Sequence, residues 1–240
     1  MQLCYLVLLC MLVSSSCVGQ NLIANGDFEQ HACPQYVGDI EFARGWHNGN
    51  HNTPDLFSRC VKDRETGLHV PDNYVGTRQP ASGDAYAGLF LFGNRDRDAS
   101  RKSLYEHDES IWSSLITPLQ PGQTYQLRMW VGLADSAQYY SAYMTAVFGP
   151  TAFDALGRNE QGQAVLLPIA PLAKGRAWQE VVITFQPLKP WRCISLGLAR
   201  SVFTRKQYQQ ALLQQNMGPL IRNDRMCYYY IDNITLVRVK

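Results

Sequence analysis

The segment from Thr124 to Leu133, TYQLRMWVGL, constrains the fold more than any other stretch of the chain. Successive side chains of a strand point to opposite faces. Tyr125, Leu127, Met129 and Val131 therefore form one apolar row, and Gln126, Arg128 and Trp130 form the other. Comparable runs follow the same logic: DAYAGLFLF (84–92), AYMTAVFG (142–149), WQEVVITFQP (178–187), RCISLGLAR (192–200) and CYYYIDNITLVRV (227–239). Turn signals such as PASG and PGQ separate them. Many strands without alternating helices predict an all-β antiparallel sandwich. TRKQYQQALLQQN (204–216) has helix formers and no Gly or Pro, and predicts one short inserted helix. The stretch 40–73 reads as loop, and NRDRDASRKS (94–103) as a solvated loop.

At 240 residues, with 46% apolar residues, the chain is long enough for one sizeable core. A formal net charge of +2 argues against a nucleic-acid partner, which would call for a basic stripe. The leader MQLCYLVLLCMLVSSSCVGQ has an apolar core, Leu3 to Val13, too short to span a bilayer but fitting a signal peptide. Cleavage after Gly19 assigns residues 1–19 to the signal and 20–240 to a single domain. No Lys or Arg precedes Arg44, so only the terminal amine charges the start of the leader. Lipidation at Cys17 is the minority alternative, because SSSC lacks the usual aliphatic residue three places earlier. Export implies a secreted or outer-membrane-associated, cell-surface protein without a transmembrane segment.

Of seven cysteines, Cys4, Cys10 and Cys17 lie in the leader. Cys33, Cys60, Cys193 and Cys227 remain, an even number that suits an oxidising compartment. Sequence proximity favours Cys33 with Cys60 and Cys193 with Cys227. No C-x-x-C occurs to suggest zinc.

NLIANGDFEQ (21–30), Gly45-Trp46, TPDLF (53–57), SGDAYAGLFLF, LQPGQTYQLRMWVGLAD, WQEVVITF and YYYIDNITLV occur in this order. Together they resemble exported Bacteroidetes proteins carrying a galactose-binding-like jelly roll, whose superfamily includes carbohydrate-binding modules. The resemblance spans nearly the whole mature chain. It implies the fold strongly and function loosely, since such scaffolds host many roles. It also implies a structural calcium between the first and last strands, held by acids that match Glu29 and Asp232. Calcium takes six to eight oxygens, so Ser82 and Asp84 in the turn before Ala85 are the remaining candidate ligands. The alternative is that Glu29 and Asp232 bond only to loop amides, and Asp232-Asn233 form a local Asx turn. Asp27 either joins Glu29 or caps the turn. Asn233-Ile-Thr is formally a glycosylation sequon inside a strand.

Enzymatic signatures are weak. No G-x-S-x-G, phosphate loop or dinucleotide fingerprint occurs. Glu106, His107, Asp108 and Glu109 are consecutive and would alternate between faces, so they read as an exposed polar loop or strand edge. His47 and His51, four apart around Gly49, read as exposed loop histidines and not as a zinc pair. The remaining candidates are aromatic. Tyr and Trp stack on sugar rings while Arg and Asp bond hydroxyls. Trp46, Trp112, Trp130 and Tyr143 are possible platforms, with Trp46 and Trp178 expected in the core. Arg128, Asp135, Tyr139 and Tyr140 are the expected carbohydrate-binding residues. The sequence reading is thus a non-catalytic, carbohydrate-binding sandwich. A protein-binding envelope module is the alternative, and a hydrolase on the same scaffold the weakest.

Overall fold

A computed structural model describes residues 19–50, 52–94, 108–152, 162–169, 177–198 and 225–239. Among them are twelve strands: β1 (Trp46–Asn48), β2 (Asp55–Ser58), β3 (Asp72–Asn73), β4 (Gly76–Thr77), β5 (Ala85–Asn94), β6 (Ser110–Ser114), β7 (Thr124–Leu133), β8 (Tyr143–Gly149), β9 (Gln163–Pro168), β10 (Gln179–Phe185), β11 (Cys193–Gly197) and β12 (Arg225–Val239). They form two five-stranded sheets, ordered β1-β6-β11-β8-β9 and β10-β7-β12-β5-β2, plus the small β3-β4 hairpin. Every named pairing is antiparallel. The architecture is a jelly-roll β-sandwich. Two 3-10 turns, Asp39–Phe42 and Arg64–Thr66, accompany its strands. The expected helix at 204–216 and most of the leader lie outside the described residues. No helix among the described residues is long and apolar enough to cross a membrane.

The alternation in β7 is realised. Tyr125, Leu127, Met129 and Val131 are buried, while Arg128 is exposed and Gln126 and Trp130 are partly exposed. Their inward row meets Ile194, Leu196, Phe148 and Ile111 of the first sheet in one hydrophobic core. Removing such area from water supplies about 25 cal/mol per Å².

The N-terminal NGDF turn closes the sandwich. Asn25 has a left-handed φ of 52°, which its short polar side chain tolerates. That side chain accepts from the Gln30 amide at 2.8 Å and donates to the carbonyls of Gln30 and Arg44 at 3.0 Å each. Gly26 is needed because a Cβ there would lie 1.9 Å from the Ile234 carbonyl oxygen. The Ile234 amide donates to the Gly26 carbonyl at 2.8 Å, joining the turn to β12. Trp46, fully buried as expected, donates its indole N–H to the Asn25 carbonyl at 2.8 Å.

Two expectations need correction. Cys33 and Cys60 are disulfide-bonded, but Cys193 and Cys227 are not. Cys193 lies on β11 with Sγ 3.9 Å from Ser114 Oγ, whereas Cys227 lies on β12 in the other sheet. Burial pushes the Cys227 thiol well above its usual range. Iodoacetamide added to denatured, unreduced protein is expected to label Cys193 and Cys227 and to spare Cys33 and Cys60. Peptide mass mapping checks this.

Glu109 is likewise not the exposed polar residue expected: it is fully buried, immediately before β6. Its Oε2 accepts from the Phe90 amide at 2.8 Å, and its Oε1 from the Thr53 amide and hydroxyl at 3.1 and 3.2 Å. Asp108 is described, and its carbonyl accepts from Asn50 and Asn52. Glu106, His107 and His51 lie outside the described residues.

Candidate functional site

Two features of the second sheet stand out. They are an acidic clasp at the chain ends and an open face beside it.

In the clasp, Glu29 and Asp232 meet at the turn that precedes β5. The Asp84 and Ala85 amides donate to Glu29 Oε1 at 2.8 and 3.0 Å. The Ala81 and Ser82 amides donate to Asp232 Oδ2 at 2.8 and 3.2 Å, and the Asn233 amide to Oδ1 at 2.6 Å. Gly83, with φ 61°, lies directly under Glu29, and a Cβ there would come 2.3 Å from the carboxyl carbon. Between Asp232 and Thr235 the pairing of β12 with β7 shifts register, and Asn233 takes a left-handed φ of 51°. Asp232 is fully buried. Burial pushes its carboxyl up to about 7 against the lowering influence of the three amides, and repulsion from Glu29 adds to the rise.

These residues partly fit the calcium expectation. Neither Glu29 nor Asp232 forms an ion pair among the described residues. Both acids accept from amides of the same 81–85 turn, and Glu29 Oε2 accepts no hydrogen bond from a described residue. A hard cation suits such a donor set. Ser82 is at hand, its hydroxyl donating to Asn233 Oδ1 at 2.9 Å. The Asp84 carboxylate is not: it lies 3.1 Å from Arg59 Nε, and only its backbone belongs to the clasp. Asp27 is exposed and stays apart, because the positive φ of Phe28 interrupts strand alternation. Among the described residues no three acidic, His or Cys side chains gather as a metal group. Backbone carbonyls and water would complete any shell.

The open face follows from register. Glu180, Trp130 and Asp232 are neighbours across β10, β7 and β12, and Val182, Arg128 and Thr235 form the next row. Arg128 Nη1 donates to Glu180 Oε1 at 2.9 Å. Val182 is 40% exposed. Trp178 was expected in the core but is only partly buried, and its indole donates to the Gln79 carbonyl at 2.8 Å. The Arg78 guanidinium lies 5.6 Å from the Trp178 ring and 5.5 Å from Tyr230. Farther along, the same face is roofed. Tyr86, Tyr228, Tyr230, Phe57 and Tyr74 form an aromatic layer over Gly88, where a Cβ would lie 2.3 Å from the Tyr228 hydroxyl.

The expected binding residues separate. Arg128 alone lies on the open face. Asp135 accepts from the Thr77 amide at 2.9 Å and holds the β3-β4 hairpin against the end of β7. Tyr139 is corrected from exposed to 8% exposed, because its ring packs 6.2 Å from Phe92 under β12. Tyr140 is partly buried against the core. Trp112 stacks 4.4 Å from His47, which Glu41 engages at 2.8 Å. The signal that would have found Glu180 is its place opposite Trp130, which depends on pairing two distant strands.

No family model and no curated protein matches the chain. Solved structures do. The CBM22-1 xylan-binding domain of Paenibacillus barcinonensis Xyn10C is 10% identical, with a TM-score of 0.45 over 93% of this chain and 97% of that one. A family 16 carbohydrate-binding module is 14% identical, with a TM-score of 0.42 over 90% and 99%. The K2 cleaved adhesin domain of Lys-gingipain is 10% identical, with a TM-score of 0.42 over 89% and 97%. At these identities the likeness concerns the fold alone.

Proposed function

We propose that this chain is an exported, non-catalytic carbohydrate-binding β-sandwich, with the open face of β10-β7-β12 as its binding surface. Calcium, on this reading, is held by Glu29 and Asp232 with backbone oxygens and staples the chain ends without taking part in chemistry. The observation that carries the reading is the partly exposed Trp130 in register with Glu180, beside the Arg128–Glu180 pair. A pyranose packs its C–H face on an indole while neighbouring polar groups bond its hydroxyls. The Arg–Glu pair carries no net charge, which suits a neutral polyol. The leader and the Cys33–Cys60 disulfide support export, either to the medium or to the outer-membrane surface.

A screen of full-length protein against a glycan panel tests this. Trp130→Ala is expected to weaken the best glycan at least about tenfold, or about 1.4 kcal/mol, with the unfolding midpoint little changed. Unaltered affinity would remove Trp130 from the site. A protein partner is the second reading, favoured by adjacent Tyr36 and Val37, 71% and 41% exposed. The Gln35 and Tyr36 amides both donate to Asp39 at 2.8 Å, so this apolar tip is pre-organised.

A further inference from the structure

Glu29 and the 81–84 turn come from separate parts of the chain, and a covalent bridge joins their neighbours. Cys33, just beyond Glu29, is bonded to Cys60, with Cα atoms 5.8 Å apart. Cys60 adjoins Arg59, which grips the turn at both ends. The Arg59 amide donates to the Asp84 carbonyl at 3.0 Å, its Nε lies 3.1 Å from Asp84 Oδ1, and its Nη2 donates to Gln79 Oε1. On the Glu29 side, His31 Nε2 lies 3.2 Å from Ser58 Oγ, which also accepts from the Cys60 amide at 3.1 Å. The path through Glu29, Cys33, Cys60, Arg59 and Asp84 returns to Glu29 through the Asp84 amide. The disulfide is the bond in this ring that a reductant breaks. Cys33 is exposed, so a reductant reaches it from solvent.

We propose that the Cys33–Cys60 disulfide is a redox-controlled brace of the clasp. Oxidised, it holds Glu29 against the 81–84 turn; reduced, it lets them part and lowers cation affinity. The inference rests on the reading of Glu29 and Asp232 as a cation site. The redox step is exchange with a dithiol. The reductant's thiolate attacks Cys33 Sγ and Cys60 leaves as thiolate. The reductant's second thiolate then closes its own disulfide and releases Cys33. Two electrons pass to the protein sulfurs, which take up protons as thiols. Linkage is reciprocal, so calcium must also make this disulfide harder to reduce.

Calorimetric titration of calcium into the full chain tests the brace, with and without prior equilibration in dithiothreitol. Affinity is expected to fall at least about fivefold on reduction, with the β-sheet circular dichroism retained. Cys33→Ser/Cys60→Ser should bind like reduced protein without any reductant. Should reduction or that variant unfold the chain, oxidised Arg59→Gln decides: weakened binding with the disulfide intact supports the brace, and unchanged binding overturns it. Equal affinity of folded oxidised and reduced protein overturns the brace and leaves the clasp. No calcium binding by oxidised wild type overturns the clasp and the brace with it.

Discussion

Replacing Asp55 with alanine is expected to destabilise the fold by about 4 kcal/mol, since one fully buried and two partly buried donors would lose a charged partner at about 1–3 kcal/mol each. Asp55 is fully buried on β2. Its Oδ1 accepts from the Gly38 amide at 2.8 Å, and its Oδ2 from the hydroxyls of Tyr74 and Tyr228 at 2.6 and 2.5 Å. Those contacts tie together the 33–38 loop, the β3-β4 hairpin and β12. Burial pushes both phenols well above their usual range, and the Asp55 charge pushes them further. They therefore stay protonated donors. Urea unfolding followed by tyrosine fluorescence measures the loss. Asp55→Asn should cost about half as much, because its carbonyl oxygen still accepts from Gly38. A loss below about 1 kcal/mol for alanine would mean the aromatic layer holds without its acceptor.

Chelated protein is expected to gain stability as pH falls from 8 to 5. The Asp232 carboxyl titrates near 3.8 when unperturbed and at about 7 in the fold. A folded value above the unfolded one favours the protonated fold. This contribution is therefore complete below about 3.8 and is lost as pH rises through about 7. The displacement corresponds to about 4 kcal/mol at most. Urea midpoints of wild type minus those of Asp232→Asn isolate it from other titrations. With calcium bound on the proposed reading, the ionised carboxylate is favoured and the trend reverses. A pH-independent difference between the two proteins in chelator would contradict the account.

The strands that follow a simple period were legible in the sequence. β7 shows this best, with PGQ before it and an alternating row along it; β12 was legible through its aromatic and β-branched density, since Met226 to Asp232 are buried without alternation. β2 and β6 were not. All four residues of β2 are buried, so no wet row alternates with a dry one. β6 begins beside Glu109, whose charge disguises a buried position; its partners, Phe90 and Thr53, lie far off in sequence. β9 is a short edge strand with a single fully buried apolar residue, Leu167, and has little periodic signal. Glu29 and Asp232 both reach the turn before β5, while the Asp84 carboxylate lies against Arg59, a partner that spacing does not reveal. Tyr139 failed as a platform because the loop after β7 folds back under β12, with the Tyr139 amide donating to the Met226 carbonyl at 3.0 Å. The paired second cysteines were wrong for a topological reason: proximity in sequence placed them on strands of opposite sheets.

Affinity electrophoresis through gels containing soluble polysaccharides is the most direct test of the open face as a carbohydrate platform separate from the clasp. Wild type, Trp130→Ala and Asp232→Asn are run side by side in calcium. The account predicts one or more polysaccharides that retard wild type and Asp232→Asn but let Trp130→Ala migrate freely. Equal retardation of wild type and Trp130→Ala, or no retardation of wild type by any polysaccharide, would contradict it.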